Sequence, residues 1–214
     1  MSIDIGERFR QSLGMSIEDD KLSPAGTGRV ADRQDMILDA AFHAFASYGY
    51  RRTTMDDIAR GAGMSRSALY LHYRNKEDVF RSLAERYFSE AVAALEAALA
   101  VPGQSPEEAL AAAFLAKDGK FMDVVLSAPH GAELLDAGMN VTRDLADAAS
   151  ARKVAILARW LAGLPMAEGI GAPEAVARTI MVSAMGLKFP GQTLEGYRQG
   201  QRQLARLFAR AIAG

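Results

Sequence analysis

The sequence predicts an all-α protein of about nine helices, and three features of the chain carry that reading. Apolar residues recur at three- and four-residue intervals over most of the 214 positions. No run of useful length alternates apolar and polar residues with the period of two that a half-buried strand needs. Glycine, proline, serine, threonine and asparagine fall between the periodic stretches, where helices start and stop.

Half of the residues are hydrophobic, enough for a sizeable core, and 214 residues suit one compact unit or two closely packed small domains. The formal net charge is -1, which excludes a wholly basic nucleic-acid coat protein but not a local basic surface. There is no cysteine, so neither a disulfide framework nor a thiolate metal site can form, and a reducing cytoplasmic location is expected. No stretch of about 18 apolar residues is present, so no membrane span or membrane partner is expected. The N-terminus lacks the apolar core of a secretory signal.

Taken in order, residues 1–28 mix Ser, Gly, Pro and charges and are read as a flexible arm. An arm in this position could reach a DNA groove, but its three basic residues against five acidic ones argue otherwise. Ala31 to Tyr48 is the first strong helix, with Met36, Ile37, Ala40, Ala41, Ala44, Phe45 and Tyr48 as its buried stripe. Gly49 caps its end. His43 lies off the stripe and reads as a solvated or packing histidine.

The next stretch, Thr53 to Lys76, reads as a helix, a glycine turn and a second short helix. Thr54 can cap the first helix, with Asp57 in capping-box spacing. Met55, Ile58, Ala59 and Ala62 share one face. Gly63 breaks the helix where a left-handed residue allows a tight turn. Ser65 can cap the second helix, and Leu69 is its natural core residue. Arg66, Ser67, Tyr70 and His72 are left for an outward polar face. Small Ala59 and Gly63 let the two helices cross closely. Such a pair can brace one helix and present the other's N-terminal residues to base edges. Any two short helices joined at a glycine would look similar, so the flanking sequence matters. Residues 51–76 carry five Arg and one Lys against Asp56 and Asp57, a local +4 (6 − 2) that can anchor phosphates.

Asn75 can cap a long helix, with Glu77 and Asp78 in its first turn. Its apolar pattern through Val79, Phe80, Leu83, Tyr87, Phe88, Val92, Leu95 and Leu99 runs to about Ala100, making it a mechanical link to the rest of the chain. Ser105, Pro106 and Glu108 open the next helix, ending near Ala116. Short pieces follow at 121–126, stopped by Pro129, and at 131–136. A long helix is predicted from about Asn140 to Leu161, with Val141, Leu145, Ala148, Val154, Leu157 and Leu161 inward. Pro173 begins a helix through Leu187. The last runs from about Leu194 to Ile212, with Tyr197, Leu204, Leu207, Phe208 and Ala211 along one side.

The segment from about Arg33 to Phe88 resembles the N-terminal domain of the TetR/AcrR family of bacterial transcriptional regulators. The likeness is carried by ILDAAF at 37–42, FASYG at 45–49, TTMDDIA at 53–59, GAGMS at 61–65, LYLHY at 69–73 and NKEDV at 75–79. It covers roughly a quarter of the chain; the remainder fits the family in length and helical class only. The resemblance implies an N-terminal three-helix helix-turn-helix DNA-binding domain at 29–77 and a helical effector-binding and dimerisation domain at 78–214. It implies a homodimer on palindromic double-stranded operator DNA, most simply a repressor released by a small hydrophobic effector, with no cofactor.

Site residues follow position by position. Thr54, at a helix N-terminus, resembles the family's phosphate-binding threonine. Ser65, Arg66, Ser67 and Tyr70 occupy positions that in relatives face the major groove. Arg66 is the natural base reader, since its fork can bond guanine N7 and O6 together. His72 and Lys76 resemble backbone contacts, while Tyr73 packs inward. Leu71 departs from the polar or aromatic residue common there.

For an effector, Phe114, Met122, Leu126, His130, Trp160, Met181 and Met185 are the candidate lining, joined by Phe121, Met139 and Phe189. Met and aromatic side chains suit apolar ligands, though each is also an ordinary core residue. His130, near Glu133, is the one polar group expected to orient a ligand. Few charged residues fall at inward positions, which predicts a neutral or singly charged compound. The three histidines have no metal-ligand spacing, and no phosphate loop or nucleophile elbow appears, so no enzyme is expected. The alternative is a helical small-molecule-binding protein or enzyme with a vestigial helix-turn-helix.

Overall fold

The computed structural model describes residues 27–188 and 192–214. Most of the predicted arm, together with Phe189, lies outside them, and of Met139 only the helical backbone is described. Among the described residues there are ten helices and no strand. They are α1 Thr27–Tyr48, α2 Met55–Gly61, α3 Arg66–Tyr70, α4 Lys76–Leu99, α5 Pro106–Ala116, α6 Gly119–Ser127, α7 Gly131–Val141, α8 Arg143–Ala162, α9 Pro173–Gly186 and α10 Leu194–Ala213. No helix among them is long and apolar enough to cross a membrane.

The predicted caps form. Thr54 and Ser105 each close a full capping box, with Asp57 and Glu108. The side chains of Ser65 and Asn75 accept the backbone N–H groups of Ala68 and Asp78. Each bond satisfies a donor that a helix start leaves orphaned.

Two apolar clusters make the core, and α4 runs through both. Val79, Phe80 and Leu83 pack with Ile37, Ala41 and Phe45 of α1, Ile58 of α2 and Leu69 of α3. Two turns further on, Val92, Leu95 and Leu99 pack with α5, α8, α9 and α10. The Phe45, Tyr50 and Phe80 rings meet at centroid distances of 4.9–5.5 Å. Arg86 of α4 ion-pairs with Asp35 and Asp39 of α1, at 3.2 and 2.6 Å. Arg81 reaches Asp144 of α8 with two nitrogens, at 2.7 and 3.1 Å. One rigid element is thus clamped to the helices before it and after it.

Three helices differ from their predicted form. α1 begins at Thr27, and its stripe is narrower: Met36 and Tyr48 are exposed. Met36 lies about 100° round the helix from buried Ile37, and Tyr48 falls in the last turn, past the core's final layer. The single helix expected from Asn140 is interrupted at Thr142, whose φ of −129° and ψ of 24° leave the helical region. On α8 the buried face holds Ala149, Lys153, Ile156, Leu157, Ala158 and Leu161, while predicted Ala148 is exposed. On α10 the buried face is Tyr197, Gln201, Ala205, Ala209 and Ile212, so Leu207 and Ala211 are exposed and Leu204 and Phe208 half-buried.

Candidate nucleic-acid interface and ligand cavity

The reading surface is built on the α2–turn–α3 unit. Gly63 sits at φ +65°, the left-handed conformation that the turn requires. Leu69, wholly buried, pins α3 to the core. With that side committed, Ser65, Arg66, Ser67 and Tyr70 are exposed together. Arg66 stacks over the Tyr70 ring, 5.6 Å from its centroid, and its Nη2 donates to the Tyr70 hydroxyl at 3.4 Å. The hydroxyls of Ser65 and Ser67 lie 3.0 Å apart. His72 is half-buried just beyond α3, Tyr73 is buried as predicted, and Leu71 is 86% exposed.

Two predicted contact residues are engaged internally. Thr54 gives both its backbone N–H and its hydroxyl proton to Asp57 Oδ2, at 3.0 and 2.6 Å. Lys76 Nζ donates to the carbonyl oxygens of Tyr50, Arg51 and Thr53 at 2.6, 3.1 and 2.9 Å. It also stands 4.7 Å from the centre of the Tyr50 ring. Burial lowers its pKa, with Glu133 opposing. All three ammonium protons are therefore spent on the 50–53 turn. Arg60 pairs with Asp56 and Asp57, so those charges offset one another. The exposed basic groups flanking α3 are Arg51, Arg52 and Arg74.

Sequence reasoning missed the turn's own fastening. Thr53 is buried, and its hydroxyl lies 3.1 Å from the Ala44 carbonyl oxygen and 2.8 Å from that of Gly49. Gly49, at φ +84°, leaves the space that the Glu133 carboxylate occupies; a Cβ there would stand 2.2 Å from Glu133 Oε2. Glu133 Oε1 accepts the Arg51 backbone N–H at 2.7 Å.

A cavity of about 240 Å³ lies between α4, α6, α7, α8 and α9. Its apolar wall includes Phe80, Leu83, Tyr87, Phe88, Phe121 and Leu134. Of the predicted lining, Phe121, Met122, Met181 and Met185 reach it. Four others are placed elsewhere. Phe114 is in the second core cluster and Trp160 packs against it. Leu126 packs against the first cluster. His130 sits 3.9 Å from Glu133, toward the α1–α2 junction.

The cavity's polar end was not foreseen. Asp118, almost fully buried, accepts from Lys117 Nζ, from Lys188 Nζ at 2.6 Å, from the Tyr197 hydroxyl and from Gln201 Nε2 at 2.9 Å. Burial pushes its pKa up, but the Lys188 and Lys117 ammoniums outweigh that and hold it well below the usual carboxylate range. Lys153 of α8 faces the same space. Burial pulls its pKa down to about 8, with Asp118 opposing and Lys188 and Lys117 adding to the fall.

Residues 37–83, which span α1 to the first turns of α4, match the family described as bacterial regulatory proteins, tetR family. The HTH-type transcriptional repressor ComR of Escherichia coli K12 is 32% identical over 128 residues, covering 60% of either chain. The negative transcriptional regulator IcaR of the Staphylococcus epidermidis biofilm operon icaADBC is 39% identical over 56 residues, 26% of this chain and 30% of that one. The chain thus spans less than two thirds of the length of these relatives. In fold it is similar to SmeT, the repressor of the Stenotrophomonas maltophilia multidrug efflux pump SmeDEF. The TM-score is 0.63 at 21% identity, over 83% of this chain and 89% of that one. The complex of SmeT with triclosan superposes with a TM-score of 0.61 at 20% identity, over 84% and 91%.

Proposed function

We propose that the chain is a member of the TetR family of bacterial regulatory proteins, which its residues 37–83 match, and that it is a ligand-responsive transcriptional repressor that binds a palindromic operator as a homodimer. In this reading residues 29–77 form the DNA-binding domain and 78–214 the effector and dimerisation domain. Ser65, Arg66, Ser67 and Tyr70 meet the major groove, with His72 and the nearby Arg51, Arg52 and Arg74 serving the phosphates. Thr54 would reach a phosphate only after letting go of Asp57. Lys76 acts indirectly, by holding the 50–53 turn.

One observation carries the proposal: an exposed, capped reading helix and a mostly apolar cavity share the same long helix. Phe80 and Leu83 of α4 pack against the reading domain and also line the cavity. A ligand there can favour an arrangement in which two reading helices no longer match the operator's half-site spacing. Its leverage equals its differential affinity for the two arrangements. SmeT, similar in fold, has been captured with triclosan, which supports a small-molecule effector for a protein of this fold. The dimer is supported by α9 and α10, which leave Val182, Met185 and Leu207 more than half exposed.

A mobility shift with the DNA upstream of the protein's own gene tests the proposal. Wild type should retard one fragment in preference to unrelated DNA, and Arg66→Ala should lose that preference by about ten-fold or more. A shift that competitor DNA abolishes equally for all fragments would contradict it, and would favour the reading with a vestigial helix-turn-helix.

A further inference from the structure

We infer that the cavity takes an amphipathic organic monoanion, an apolar body carrying a carboxylate-like head, and that Lys153 receives the head. This rests on the cavity being the effector site and names the chemical class it would accept.

Three ammonium groups, Lys117, Lys153 and Lys188, line one end of the cavity against a single carboxylate, Asp118. Both oxygens of that carboxylate are committed: Oδ1 to Lys188, and Oδ2 to Lys117, Tyr197 and Gln201. Among the described residues, no hydrogen bond or ion pair holds the Lys153 ammonium, although Lys153 is only 8% exposed. Burying an uncompensated charge is costly, so proteins keep such groups paired or bound to a ligand. The remaining titratable groups nearby do not supply the missing anion: the Tyr87 and Tyr197 hydroxyls have raised pKa values and stay neutral. Ser150, one turn before Lys153 on α8, adds a hydroxyl to the same wall.

The rest of the cavity fixes the other half of the ligand. The rest of the lining is chiefly apolar, with Phe80, Phe88, Phe121 and Met181 and no second charged cluster. A dianion or a sugar phosphate would leave charge against these rings; a neutral hydrocarbon would leave Lys153 unpaired. The volume of about 240 Å³ equals roughly eight waters at liquid density, which suits a medium-length acid.

The test uses the full-length protein at pH 7 and the neutral fluorescent probe N-phenyl-1-naphthylamine, displaced by decanoate or by decan-1-ol. Decanoate should bind at least about ten-fold more tightly than decanol. Lys153→Met should abolish that preference while keeping probe and decanol affinity, and Lys153→Arg should retain it. Equal affinities in wild type, or a preference for decanoate that survives in a folded Lys153→Met protein, would overturn the inference while leaving the cavity as a ligand site. Failure of the probe and of both competitors to bind would overturn the cavity reading as well.

Discussion

The Arg51 backbone N–H donates to Glu133 Oε1 at 2.7 Å, tying the turn before the reading unit to a helix 82 residues further along the chain. The neighbouring Leu134 lines the cavity. The same turn is gripped by Lys76 at three carbonyls and by the Thr53 hydroxyl. A shift of α7 on ligand entry therefore has a direct physical route to the turn that positions α2 and α3. Glu133→Ala should leave the effector-free protein able to bind operator and reduce the effect of any releasing compound several-fold, as expected for couplings of about 1–3 kcal/mol. Glu133→Gln keeps an acceptor and should keep most of the coupling. Operator titrations with and without the compound decide this; unchanged release in Glu133→Ala would remove Glu133 from the route.

Lys76 separates a structural role from a phosphate contact. Lys76→Met leaves three carbonyls without their donor, and stability should fall by on the order of 1–2 kcal/mol. If Lys76 instead neutralised a phosphate, the variant's thermal midpoint would stay put and the salt dependence of operator binding would flatten by about one charge. Calorimetry and a salt titration on the same variant distinguish the two.

Much of this was legible in the sequence because local signals agreed. The caps at Thr54, Ser65, Asn75 and Ser105 and the turn at Gly63 are short-range chemistry, and all are present. The cavity was legible only through its methionines and Phe121. Lys153 stayed hidden because an inward face is assigned by looking for apolar residues, and that placed the α8 stripe about one residue away from Ala149 and Lys153. Asp118 could not be found that way either. Its partners Lys188, Tyr197 and Gln201 come from 70 to 83 residues further along the chain, and only the tertiary fold assembles them. The internal engagement of Lys76 was hidden for the opposite reason: it lies next to an exposed basic surface, but its long stem lets it turn back onto the chain.

The lysine cluster should show in the pH dependence of stability. Lys153 has its pKa lowered to about 8 in the folded protein, whereas an unfolded lysine titrates near about 10.4. Below about pH 8 both states are charged and the burial penalty is fully present; above it the unfolded chain holds more protons, so stability gains with pH. Lys153→Met lacks this gain. The variant should exceed wild type in urea midpoint at pH 7, and the difference should shrink by pH 9.5. Parallel curves would show that Lys153 is not desolvated.

The outer faces of α9 and α10 predict the assembly. Val182 and Leu207 are 63% and 53% exposed in the single chain, and a second copy could cover them in a four-helix arrangement. Val182→Glu with Leu207→Glu should give a monomer by sedimentation at micromolar concentration and weaken operator binding, with helix content unchanged. A wild type that sediments as a monomer, with or without operator, would contradict the dimer.

The most direct test of the central claim is an anisotropy titration of labelled upstream DNA with the protein empty and with its cavity occupied by decanoate. The account predicts sequence-specific binding by the empty protein and a dissociation constant raised at least about five-fold on occupancy, with the increase lost in Lys153→Met. An operator affinity that does not change while decanoate demonstrably fills the cavity would contradict it.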